Sequence, residues 1–128
     1  MPKKNIELLK RLRTRFLRMR HKKHFDMEDV VQVTECGAAM CIAGHTLDLE
    51  GYTYKKEAYG FDWFSPKGRK IDDPLDTAAR LLGLTRAESQ TQDEDAVVKR
   101  NGLFFRLDLK TPKQAAKVID KIIQDASA

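Results

Sequence analysis

Residues 5–19 carry a pattern that fits one conformation. Ile6, Leu9, Leu12, Phe16 and Met19 recur at three- and four-residue intervals, so a helix gathers them into a single apolar stripe, and Asn5 stands where a capping residue belongs. Lys10, Arg11, Arg13, Arg15, Arg18 and Arg20 occupy most of the remaining surface. Such a helix must bury its stripe against something, which leaves its other side densely cationic. The charge is concentrated there: residues 1–25 hold ten Lys/Arg against the lone acid Glu7, a net +9, while residues 26–128 hold fourteen basic and eighteen acidic residues, a net −4. The overall +5 and the pI near 9.3 therefore belong to one end of the chain.

A chain of 128 residues is long enough to enclose one core without disulfides or a structural metal. Its 41% hydrophobic and 34% charged residues place it among globular chains, neither disordered nor membrane-embedded. We expect one domain, 1–128, composed of a cationic amphipathic helix (1–25) and a mildly acidic helical body (26–128). No apolar run approaches the ~20 residues of a membrane-spanning helix. The charged N-terminus lacks the apolar core of a secretory signal, and although its Arg-rich, acid-poor start also fits an organelle transit peptide, residues 1–20 contain no Ser. With two cysteines, Cys36 and Cys41, in an Ala/Gly-rich stretch, the expected compartment is a reducing cytoplasm.

Past the first helix, His21–His24 reads as its exit, and residues 25–31 fit either a short helix capped by Asp26 or a Val-rich strand. A second helix is expected from about Gly37 to Glu50, stopped by Gly51. Residues 52–72 hold six of the ten aromatics, Trp63 among them, interleaved with Lys55, Lys56, Lys67, Arg69 and Lys70, and read as a long aromatic-rich loop with room for a short hairpin. Asp73-Pro74 opens a third helix with inward Leu75, Ala78, Ala79 and Leu82, ended by Gly83. Thr85 and Glu88 form a capping box for a fourth, and residues 89–102 read as polar loop. Leu103, Phe104 and Phe105 are an apolar landing point from which Leu107 and Leu109 continue as a brief extended piece. Thr111, Pro112 and Gln114 start a last helix with Ala115, Val118, Ile119, Ile122, Ile123 and Ala126 on one face. The expected fold is all-α, a small single domain of four to five helices with at most short extended segments.

The stretch Cys36-Gly-Ala-Ala-Met-Cys-Ile-Ala-Gly-His45 resembles the CG-x-x-x-CIAG-[WH] motif of a group of small uncharacterised bacterial and phage proteins. The same group places a Phe-Asp-Met stretch before the motif, here Phe25-Asp26-Met27. It places Ala-x-x-Leu-Leu-Gly-Leu after it, here Ala78–Leu84, and then a Leu-Phe pair similar to Leu103-Phe104. The resemblance spans roughly residues 25–105. The chain departs from the pattern in its cationic first helix and in Ala38, where the group often has Thr. What the resemblance implies is domain organisation, with no particular activity or cofactor.

Two constellations carry candidate chemistry. Cys41 and His45, four apart on one helix face, with Cys36 nearby, have an acceptable spacing for a metal or thiol site; two cysteines and a histidine packed as core residues explain the same pattern. If both cysteines lie in one helix, their Cα atoms stand about 8.5–9 Å apart, beyond the ~7 Å that a disulfide spans. The cationic helix is the other. Lys10, Arg11, Arg13, Arg15, Arg18, Arg20, Lys22 and Lys23 would attract a polyanion, and Lys55, Lys56 and Trp63 in the aromatic–basic segment could add phosphate contacts and base stacking. Alternatively, the cations turn toward the body's own acids, of which Asp72, Asp73, Asp76, Asp93, Glu94 and Asp95 are the natural partners, and the aromatic rings fold onto the core. The sequence reads first as a non-catalytic module that binds nucleic acid or another polyanion without a cofactor. The second reading is a protein–protein interaction or structural protein, in which the first helix pairs with another chain or an acidic surface. The third is a small thiol or metal protein.

Overall fold

The computed structural model describes residues 3–19, 25, 27, 32–34, 37–58, 60–92 and 101–127. Helix α1 (Ile6–Arg18) starts at Asn5, whose Oδ1 accepts from Leu8 N at 3.1 Å. Asn5 also serves a second helix: its backbone N–H and its Nδ2 donate to Leu82 O and Leu81 O, both at 2.9 Å. These carbonyls close α3 (Pro74–Leu82) and would otherwise lack partners, so one residue caps two helix ends. Contact there is tight. Gly83 ends α3 at φ +73°, and a Cβ on it would lie 2.0 Å from the Lys3 carbonyl oxygen.

The stripe of α1 forms the centre of the molecule. Leu9 and Leu12 are fully buried and Phe16 nearly so, while Leu8 joins them and Ile6 and Met19 pack at the margin. Phe16 meets Phe25 and His45 edge-on at centroid distances of 5.4 and 5.2 Å. The main partner of α1 is α5 (Pro112–Ser127), which buries Ala115, Ala116, Ile119 and Ile123. The apolar face offered for pairing with another chain is thus used within this chain's own core.

The all-α expectation is wrong: the structure is mixed, with five α-helices and two two-stranded antiparallel sheets among the described residues. The first three residues of the expected helix at 37–50 are strand instead. β1 (Gln32–Thr34) pairs with β2 (Gly37–Ala39), and α2 (Ile42–Leu49) begins only after Cys41. Small residues tolerate either conformation, so their run carries no helical commitment, and pairing with β1 decides the matter. Gly51 adopts φ +83° after α2, as expected.

In the aromatic segment the short hairpin that the sequence left room for is present, and it replaces most of the loop: β3 (Thr53–Glu57) pairs antiparallel with β4 (Gly60–Phe64). Tyr54 opposes Trp63 at 5.3 Å between centroids and packs edge-on against Phe61 at 5.6 Å, so alternate residues supply an apolar face to the core. The remaining local signals appear where the sequence places them. Asp73 accepts from Asp76 N, Thr85 and Glu88 complete a reciprocal capping box on α4 (Arg86–Gln90), and Thr111 and Gln114 do the same at the start of α5. Leu103–Phe105 form a 3-10 turn, not an extended piece. Ala126 is exposed at the end of α5. Asp26, residues 28–31 and 93–100, and Cys36 lie outside the described residues, as does the His21–His24 exit.

Candidate nucleic-acid interface

With the apolar stripe of α1 turned inward, its cations divide into two sets. The first is held by the body. Arg11 Nη1 donates to Glu50 Oε1 at 3.0 Å and its Nη2 to Leu49 O at 3.1 Å. Arg15 Nη1 donates to Asp48 Oδ2 at 2.6 Å and stands 3.4 Å from His45 Nδ1. A guanidinium has no acceptor, so in that contact the Nδ1 lone pair faces Arg15. Both arginines therefore gather at the C-terminal end of α2, where side-chain carboxylates and the helix dipole favour positive charge. On the opposite flank, Arg13 pairs with Asp120 of α5, whose other oxygen accepts from Gln124 Nε2 at 2.7 Å.

The N-terminal Lys4 is engaged as well, donating to Glu88 Oε2 at 2.6 Å. Partial burial pushes the Glu88 carboxyl up, but the hydrogen bonds from Lys4 and Thr85 outweigh it and hold the group below the usual carboxylate range. The acids that meet these cations are Asp48, Glu50, Glu88 and Asp120. They differ from those named by the sequence reading: Asp73 caps α3, Asp76 pairs with Arg80 at 3.4 Å, and residues 93–95 lie outside the described part.

The second set is unengaged. Lys10 and Arg18 are exposed and make no ion pair among the described residues. They flank a shallow depression of about 400 Å³ with Arg11, Arg15 and Leu49. On the other side of α1 a larger groove, about 770 Å³, separates it from α5; Thr14 lies on the ridge between the two and lines both. The groove holds Leu17, which is 60% exposed, and Ala116, with Lys113 and Lys117 along the α5 side. Neither lysine makes an ion pair among the described residues.

These α5 lysines were missed by reading the sequence for charge runs. Their signal was the four-residue spacing of Lys113, Lys117 and Lys121, roughly opposite the buried Ala115, Ile119 and Ile123. Of the remaining candidates, Arg20, Lys22 and Lys23 lie outside the described residues. Lys55 and Lys56 are exposed on β3 but line neither depression of α1. Trp63 is 2% exposed, so it cannot stack on a base; it is a core ring.

Of the thiol cluster, the structure describes Cys41 and His45, while Cys36 lies outside the described residues. Cys41, at the N-cap of α2, and His45 are both buried, the latter sealed by Phe16. Cys36 precedes the helix, so the separation computed for two cysteines in one helix does not apply to it. Among the described residues no three His, Cys, Asp or Glu side chains group in a way that could hold a metal ion. No described helix is long and apolar enough to cross a membrane. No family model, curated protein or solved structure matches the chain.

Proposed function

We propose that this protein is a non-catalytic module that binds nucleic acid through the cationic face of α1 and the neighbouring edge of α5, in a reducing, cytoplasmic setting. One observation carries the reading. After Arg11, Arg13 and Arg15 have been matched to internal carboxylates, Lys10, Arg18, Lys113 and Lys117 are left without acidic partners among the described residues, around two adjoining depressions. Long side chains in such positions exchange condensed counterions for phosphates, which makes affinity steeply salt-dependent.

Four phosphate contacts give a slope of log Kobs against log salt near −3.6, or a fall of about 10²-fold between 50 and 200 mM salt. Anisotropy titrations with labelled DNA and RNA test this. Replacing Lys10 and Arg18 with Gln should weaken binding across all sequences and flatten the slope by about 1.8. Absence of binding at 50 mM salt, or binding indifferent to these substitutions, would sink the proposal.

A further inference from the structure

We infer that the groove between α1 and α5 docks an acidic, amphipathic helical segment of a partner protein. This goes beyond the nucleic-acid reading and does not depend on it. The starting point is Leu17. Among the described residues two large apolar side chains stand exposed, Leu17 at 60% and Leu107 at 39%, and of these Leu17 lines the groove. The core does not use it, since Leu9, Leu12 and Phe16 fill the interior from a different face of α1. A single exposed leucine on a convex surface is ordinary. Beside Thr14 and the small Ala116, in a hollow of about 770 Å³, Leu17 instead forms an apolar wall that a ligand can cover.

Charge selects the kind of partner. Three cations and one acid line the groove, and the acid, Asp120, is taken by Arg13. Lys113 and Lys117 are exposed and make no ion pair among the described residues, so the α5 wall stays positive. Four positions apart, they lie about 6 Å apart along the axis of α5, which is the spacing of carboxylates four apart on a second helix laid beside it. The groove residues of α5 run from Thr111 to Asp120, about 14 Å of axis or about two and a half turns of such a helix. An amphipathic helix offers both features at once, an apolar stripe to Leu17 and a carboxylate edge to the lysines. A phosphate backbone meets the lysines alone and leaves Leu17 in water. The two ligands share Lys113 and Lys117, whereas Lys10 and Arg18 line the depression on the α2 side of α1 and remain with the nucleic acid.

The test is an anisotropy titration of the full-length protein with a labelled helical peptide of about 16 residues, carrying Leu along one stripe and Glu at four-residue intervals beside it. Two controls accompany it, a scrambled peptide of the same composition and the same helix with Lys in place of Glu. The acidic amphipathic peptide should bind about tenfold or more tighter than either control. Leu17→Gln should weaken that binding about tenfold and leave the melting temperature unchanged, because the side chain lies outside the core, whereas Leu107→Gln should leave binding as it is. Lys113→Gln with Lys117→Gln should weaken binding and reduce its salt dependence. A scrambled peptide that binds as tightly, or no binding of the amphipathic one, would overturn the inference, and so would binding indifferent to Leu17. If the α5 substitutions weaken DNA binding but not peptide binding, the groove belongs to the nucleic acid and the inference fails.

Discussion

Replacing Asp120 with Asn should tighten nucleic-acid binding. Asp120 occupies one guanidinium, that of Arg13, at the edge of the α1–α5 groove. The Asn side chain keeps an oxygen for Gln124 Nε2 but loses the charge that holds Arg13, which is then available to a phosphate. One additional phosphate contact steepens the salt slope by about 0.9. If the non-electrostatic part is unchanged at ~1 M salt, the gain is about 15-fold at 50 mM and about 4-fold at 200 mM. The fold should tolerate the change. The pair is part-exposed, with side-chain exposures of 28% for Arg13 and 38% for Asp120. Solvent screening therefore limits its contribution to about 1 kcal/mol at most, which for a chain of this size is a loss of about 4 °C in melting temperature. Anisotropy titrations of a labelled duplex from 50 to 200 mM salt, with a thermal melt in parallel, read both quantities. An unchanged slope in a protein that still melts normally would refute the claim that internal acids hold back part of the helix charge.

Phe16→Ala should cost roughly 3–5 kcal/mol in a urea titration, because it empties a site that Phe25 and His45 line edge-on, whereas Leu17→Ala one position on should stay within about 0.5 kcal/mol. Equal losses at the two positions would contradict the assigned face of α1. Gly83→Ala should destabilise by more than ~1 kcal/mol, since the left-handed φ is strained for Ala and the new Cβ would strike the Lys3 carbonyl. A variant as stable as the parent would mean that the N-terminal segment does not lie across the end of α3. The Glu88 carboxyl lies low when folded, so its contribution is present above the unfolded pKa and lost as pH falls through the folded one. Lys4→Met should therefore reduce stability modestly at pH 7, with the difference vanishing below the carboxylate range; a gap that persists at about pH 2 would point to packing instead.

Elements whose determinants lie within four residues were legible in the chain. Asp73 with Pro74, Thr85 with Glu88, and Thr111 with Gln114 specify helix starts through hydrogen bonds to their own next turn, and each is found in place. Gly37–Ala39 was not legible, because residues this small have little preference of their own and the strand exists only through Gln32–Thr34. The hairpin was half visible. Tyr54, Phe61 and Trp63 alternate correctly, but Gly60 and Pro66 read equally well as breaks in a loop. At the candidate site, the cations of α1 were plain and those of α5 were not, since three lysines spread among two acids give a segment only one charge from neutral until the helix places them on one side.

By itself, the sequence determined that an amphipathic, cationic helix must dock through Ile6, Leu9, Leu12, Phe16 and Met19, because hydrophobic periodicity is local and the stripe has no other way to leave water. Only the tertiary structure decided what becomes of the charge. Packing α1 between α2 and α5 brings Asp48, Glu50 and Asp120 to Arg15, Arg11 and Arg13, and leaves Lys10 and Arg18 outward beside Lys113 and Lys117. Ion pairing acts over a few ångströms between residues tens to a hundred positions apart, a separation that no reading along the chain can measure.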